Sequence, residues 1–178
     1  MKYIKILPLV FVVVISACSP SAEEAFNQAE SEVRSVVLSS EDIEPNYSFD
    51  RFDTYKPENF QVTDENQHNV VFNDGDQPYV LFVNEFEEPN SKWFYNRIQD
   101  EGVYLRTIET DDAFAYIHAI EHDDQYEVHL GIGGIKMSTV TNLNQVEDDA
   151  KLMIEIISSV EQNEEDEDED EDEDEEEE

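Results

Sequence analysis

The spacing of apolar side chains along this chain changes from helical to strand-like and back again. Ala22, Ala25, Phe26, Ala29, Val33, Val36 and Val37 recur at intervals of one, three and four, which gathers them on one face of a 3.6-residue helix. Just ahead, Ser21-Ala22-Glu23-Glu24 has the form of a capping box, in which Ser and Glu satisfy each other's backbone donors. A helix is therefore predicted from this box to about Leu38. The stretch 41–59 holds Tyr47, Phe49, Phe52 and Tyr55 between Pro45 and Pro57 without a clean period, and reads as a loop with aromatic anchors.

From Phe60 onward the period shortens to two. Asn69 to Asn73 reads as a short strand, and Asn73-Asp74-Gly75-Asp76 has the chemistry of a hairpin turn. Residues 79–86 are apolar on both faces through Val83, which predicts a central strand covered on both sides. Residues 89–97 are expected to form a short helix, stopped by Gly102. Strands are predicted at 103–109, 113–121, 125–132 and 135–140, with an acidic turn at 122–124 and a tight turn at Gly133-Gly134. The helical period returns in Val146, Ala150, Met153, Ile154, Ile157 and Val160, with Asn144 and Glu147 suggesting the N-cap. Helix, antiparallel meander, helix predicts an α+β fold: an antiparallel sheet packed on N- and C-terminal amphipathic helices, in two layers.

Two ends of the chain fall outside this pattern. Residues 6–15 are apolar apart from Pro8, behind Lys2 and Lys5. The run is too short to cross a bilayer, which takes ~20 apolar residues, and it reads as the core of an export signal. It ends in Ile15-Ser16-Ala17-Cys18, which resembles the lipobox of bacterial lipoproteins. The resemblance covers the first 18 residues and implies cleavage before Cys18, with diacylglyceryl and palmitate chains on that cysteine. Two chains are enough for stable anchoring, so the expected location is the cell membrane, lipid-anchored on its extracytoplasmic side. Cys18 is the only cysteine, so the mature chain holds no internal disulfide and no thiol nucleophile.

At the other end, 164–178 is an unbroken run of 15 acidic residues. Such a segment has no apolar surface to bury and repels itself, so a disordered tail is expected. Divalent cations or a basic partner are its natural ligands. The domain organisation is thus a signal peptide at 1–17, one globular domain at 18–163 and the acidic tail at 164–178. Within 18–163, 31 carboxylates still face only 8 Lys and Arg. That charge disfavours nucleic acid and anionic lipid, favours a monomer, and suits an exported protein in saline or alkaline medium.

Candidate chemistry is sparse. His118-Ala119-Ile120-Glu121-His122 matches the H-x-x-E-H form of inverted zinc peptidases, and His129 on the next strand is a further metal candidate. The chemistry needs a helix, whereas the alternation of Phe114, Tyr116, His118 and Ile120 with small residues predicts a strand. There, positions four apart lie about 13 Å apart, too far to share one metal. Gly131-Ile132-Gly133-Gly134-Ile135-Lys136 lacks P-loop spacing, and Asp74 and Asp76 lack the remaining ligands of a calcium loop. A second candidate is the aromatic triplet Trp93, Phe94 and Tyr95 beside Lys92 and Arg97. Neither helix nor strand can turn all three inward, so a binding patch is possible there, and the two cations are expected to pair with surrounding carboxylates. The reading is a non-catalytic binding or accessory lipoprotein with no cofactor, and the alternative is a metal-dependent envelope hydrolase.

Overall fold

A computed structural model describes residues 21–39, 42–66, 68–98 and 102–163. The signal segment, Cys18 and the acidic tail lie outside the described residues. The fold is α+β, with two helices and two antiparallel sheets. In chain order the elements are α1 (Ala22–Val37), β1 (Tyr47–Ser48), β2 (Phe52–Thr54), β3 (Gln61–Glu65), β4 (Asn69–Asp74), β5 (Gln77–Val83), a 3-10 turn (Tyr95–Arg97), β6 (Tyr104–Glu109), β7 (Phe114–His122), β8 (Gln125–Ile132), β9 (Ile135–Thr141), α2 (Val146–Ser158) and β10 (Glu161–Gln162). Seven strands form one sheet in the order β3-β4-β5-β9-β8-β7-β6, and β1, β2 and β10 form a second, small one.

The capping box forms as expected: Glu24 N–H donates to Ser21 Oγ at 3.3 Å, and Ser21 N–H donates back to Glu24 Oε2 at 3.0 Å. From it α1 buries Ala25, Phe26, Ala29 and Val33. Phe26 stacks on Tyr104 of β6 at 5.0 Å and meets Tyr126 of β8 edge-on at 5.2 Å, which fixes α1 on the sheet. Burying such a ring is worth roughly 1.5–3 kcal/mol.

Helix α2 begins one residue later than its sequence suggests. Gln145 is the N-cap and makes no side-chain capping bond, because a turn closes first, with Gln145 N–H donating to Asn142 O at 2.9 Å. Glu147, Asp148 and Asp149 fill the first turn instead, where their charge suits the positive end of the helix dipole. Asp149 is buried, accepting from Tyr79 Oη at 2.7 Å and Gln77 Nε2 at 3.2 Å, and so clamps α2 to β5.

Both helices lie on one face of the large sheet, α1 over β6 and β7 and α2 over β8 and β9. The rest of that face, around Phe72 and Tyr79, is covered by Phe49 and Phe60. Phe49 belongs to the stretch 41–59, expected to be an aromatic-anchored loop, and Phe60 follows directly after it. Phe49 and Phe52 are indeed buried anchors, but the stretch also carries β1 and β2, too short to show a period. Thr54 Oγ1 donates to Ile156 O at 3.0 Å and Tyr55 N–H to Ser159 Oγ at 2.7 Å, fastening the small sheet to the end of α2.

Two strand expectations change. β5 is fully covered on one face and only partly on the other, where Val80 is 37% exposed and Phe82 half-buried, because the helices, Phe49 and Phe60 all lie on the first. The strand buried on both faces is β7, where Phe114 through Ala119 are all buried. The cover on its second face comes from the segment around Trp93, Phe94 and Tyr95. That segment is not the short helix expected at 89–97 but a single 3-10 turn, because its rings are held by the sheet: Phe94 stands edge-on to Phe82 at 5.3 Å and Tyr95 packs on Phe114 at 5.1 Å.

Candidate functional site

The helix-free face of the large sheet carries every second residue of β7, β8 and β9. The acidic turn joining β7 to β8, where Asp123 takes a φ of 54°, sets the register that puts His118 opposite His129. Their imidazoles stack at 5.7 Å with planes 17° apart. One step along, Tyr116 faces Gly131, and Gly131 in turn pairs with Lys136 on β9. A Cβ on Gly131 would stand 2.3 Å from Tyr116 Cε1, so the tyrosine lies flat across the sheet only because this position is glycine. Gly102 plays the same part for His118: a Cβ there would come within 2.2 Å of Nε2.

Over this floor, the segment containing the 3-10 turn forms a wall, and the two border an open cavity of about 410 Å³. Trp93, Phe94, Arg97 and Ile98 come from the wall, and Tyr116, His118, Ile120, His129 and Lys136 from the floor. Its size is within the usual range for small-molecule sites. Trp93 and Phe94 meet edge-on at 4.8 Å. The Arg97 guanidinium lies 3.5 Å over the Trp93 ring and donates to Trp93 O at 2.8 Å, while Lys136 Nζ stands 5.3 Å from the Phe94 ring. No family model, no curated protein and no solved structure matches this chain.

Burial dominates the titration of this floor. It pushes the His118 imidazole below its ordinary value, with Glu127 opposing. His129 is pushed down to about 4, again chiefly by burial, helped by Lys136 and His118 and opposed by Glu127. Both rings are therefore neutral at pH 7. Burial also raises the Tyr116 hydroxyl well above the ordinary tyrosine value. His118 Nε2 and His129 Nδ1 are buried without a hydrogen-bond partner, which is costly for polar atoms.

The two groups of residues singled out by sequence thus converge in part. Trp93, Phe94, His118 and His129 share the cavity. Tyr95 stands behind it, against Phe114 and Tyr116. Lys92 is drawn away, pairing with Glu109 at 2.8 Å over the Phe114 ring, as expected. Arg97 differs from expectation, since among the described residues it makes no ion pair and rests on Trp93 instead.

The H-x-x-E-H segment lies on a strand, as its alternation predicted. His118 and His122 fall on one face and Glu121 on the other, so the strand does not bring the three together. His122 is exposed, 3.5 Å from Glu127, whose other oxygen is 3.3 Å from His129. Among the described residues no three His, Cys, Asp or Glu are grouped to hold a metal, and no helix is long and apolar enough to cross a membrane.

Sequence reasoning missed Tyr116, Lys136 and the two glycines. The signal for Tyr116 was present in its alternation with His118, but Lys136 was legible only once β8 and β9 were paired. A second cavity, of about 490 Å³, opens where α1 and α2 end. It has an apolar lining and acidic residues Asp42, Glu85, Glu87 and Glu88. Glu85 is bonded to Arg51 at 2.6 and 2.9 Å, and Glu87 to Ser91, so two of these carboxylates already have protein partners.

Proposed function

We propose that the chain is an exported lipoprotein held on the outer side of a membrane by lipid on Cys18. Its globular part is a two-layer domain bounded by N- and C-terminal helices, and it acts as a non-catalytic binding module. The ligand sits in the cavity between Trp93 and His118. The observation that carries this reading is the convergence of a buried and a half-buried histidine, both neutral, with a tyrosine and two adjacent aromatic rings on one cavity of about 410 Å³. Aromatic walls with a few placed polar groups are what a small-molecule site requires.

Both halves of the proposal are open to test. Cells fed labelled palmitate should label the wild-type chain and not Cys18→Ala; label retained in the variant would overturn the anchor. For the cavity, Trp93 is the only tryptophan in the sequence, so its emission reports on this site alone. Aromatic fragments titrated into the purified chain should shift that emission. If every fragment that bound left Trp93 unchanged, the site would be elsewhere.

A further inference from the structure

We propose that the cavity selects an aromatic anion, a flat ring carrying a carboxylate or phosphate, with the ring against Trp93 and Phe94 and the charged group between Arg97 and Lys136. This rests on the cavity being the binding site, and it adds the ligand class.

The argument begins with charge. Between Cys18 and Asn163 there are 31 carboxylates and 8 Lys and Arg, so almost any basic side chain has an acid within reach. Arg34, Arg51, Lys92 and Arg106 have taken one. Lys56 donates to two backbone carbonyls, at 2.9 and 3.4 Å. Arg97, Lys136 and the exposed Lys151 pair with no carboxylate among the described residues, and of these three Arg97 and Lys136 line the same cavity. Each of these two is held over an aromatic ring that also lines the cavity. The result is a small positive island in a strongly negative protein, its two cations held on aromatic rings and, among the described residues, not neutralised by a carboxylate.

The floor fits the same ligand. The His118 and His129 imidazoles are neutral at pH 7 and add no charge that would compete for the anion, while their stacked rings and Tyr116 extend the flat, polarisable surface begun by Trp93 and Phe94. Stacking on aromatic faces fixes the plane of a bound ring, and a guanidinium presents a fork of donors matched to carboxylate or phosphate. The overall negative charge does not forbid an anion. Beyond a Debye length of about 10 Å at 0.1 M salt it is screened, whereas groups in contact are not. That overall charge does count against a long polyanion such as nucleic acid, whose outlying phosphates would leave the island and meet carboxylates.

The test is calorimetric titration of the purified full chain with 2-naphthoate, 2-naphthyl phosphate and the neutral 2-naphthalenemethanol, with Trp93 emission followed in parallel. We expect both anions to bind at least tenfold tighter than the alcohol. Arg97→Gln and Lys136→Gln should each weaken the anions about tenfold while leaving the alcohol unchanged. Lys151→Gln, which makes the same charge change on α2, should alter nothing. Circular dichroism of each variant establishes that it is folded. Tighter binding of the phosphate, or of the carboxylate, supports the proposal and assigns the head group. Equal binding of alcohol and anions, with Arg97→Gln unaffected, overturns the ligand class and leaves the binding site standing. If none of the three binds, or all bind without moving Trp93, the site assignment fails as well.

Discussion

Acid should weaken this fold through His129. The perturbation is a change from pH 7 to pH 4.5. In the folded chain the imidazole is pushed to about 4, chiefly by burial, against an ordinary value near 6.5. Between those values the unfolded chain holds a proton that the folded chain lacks, so stability rises with pH across the window and is lost as pH falls through it. At about 1.36 kcal/mol per unit, the two units of the window crossed by pH 4.5 cost roughly 2–3 kcal/mol. His118 is lowered too and acts in the same direction. Protonation of the many carboxylates relieves self-repulsion over the same range, so the raw slope of stability against pH is not diagnostic. The comparison with His129→Gln is. Urea unfolding of both proteins at pH 7 and 4.5 should show the wild type losing roughly 2 kcal/mol more than the variant. Parallel behaviour of the two would show that His129 titrates normally, and the account of the cavity floor as a neutral, desolvated surface would fall with it.

Three further outcomes follow from other contacts. Tyr79→Phe removes the 2.7 Å bond to the buried Asp149 and should cost about 2 kcal/mol in urea; a double-mutant cycle with Asp149→Asn should return most of that as coupling. Ser21→Ala dismantles the capping box and should cost about 1 kcal/mol, lowering the melting temperature by a few degrees. Gly131→Ala forces Tyr116 off its seat, so denaturant unfolding should record a loss of about 1–3 kcal/mol and Trp93 emission should shift as the cavity is reshaped.

The parts of the fold that were legible in the sequence are those in which neighbours along the chain are neighbours in space. Ser21 and Glu24 announce α1, and Gly133-Gly134 announces the β8–β9 turn. The turn at Asp123-Asp124 implies the facing of His118 and His129. What was hidden depends on contacts between distant segments. β5 keeps its hairpin partner β4 on one edge and pairs on the other with β9, more than fifty residues on, and no local pattern reports that choice. The connection carrying Trp93 could not be seen to fold beneath the sheet, because its conformation is set by the rings it meets there: Phe82, Phe114 and Tyr116. For the same reason the sequence suggests Arg97 as one more partner for nearby acids, whereas among the described residues it rests on Trp93.

The two-sided burial of β7 also bears on how the molecule breathes. A strand covered on both faces and paired along both edges exchanges its amide hydrogens only when much of the domain opens, whereas a segment with a single turn of 3-10 helix exchanges through small local excursions. The cavity therefore joins the slowest-exchanging part of the chain to one of the fastest. A molecule bound between them would act as a bolt. Its occupancy should register as slowed exchange at the amides of residues 93–98, while those of β7, already limited by global opening, would slow only in step with overall stability.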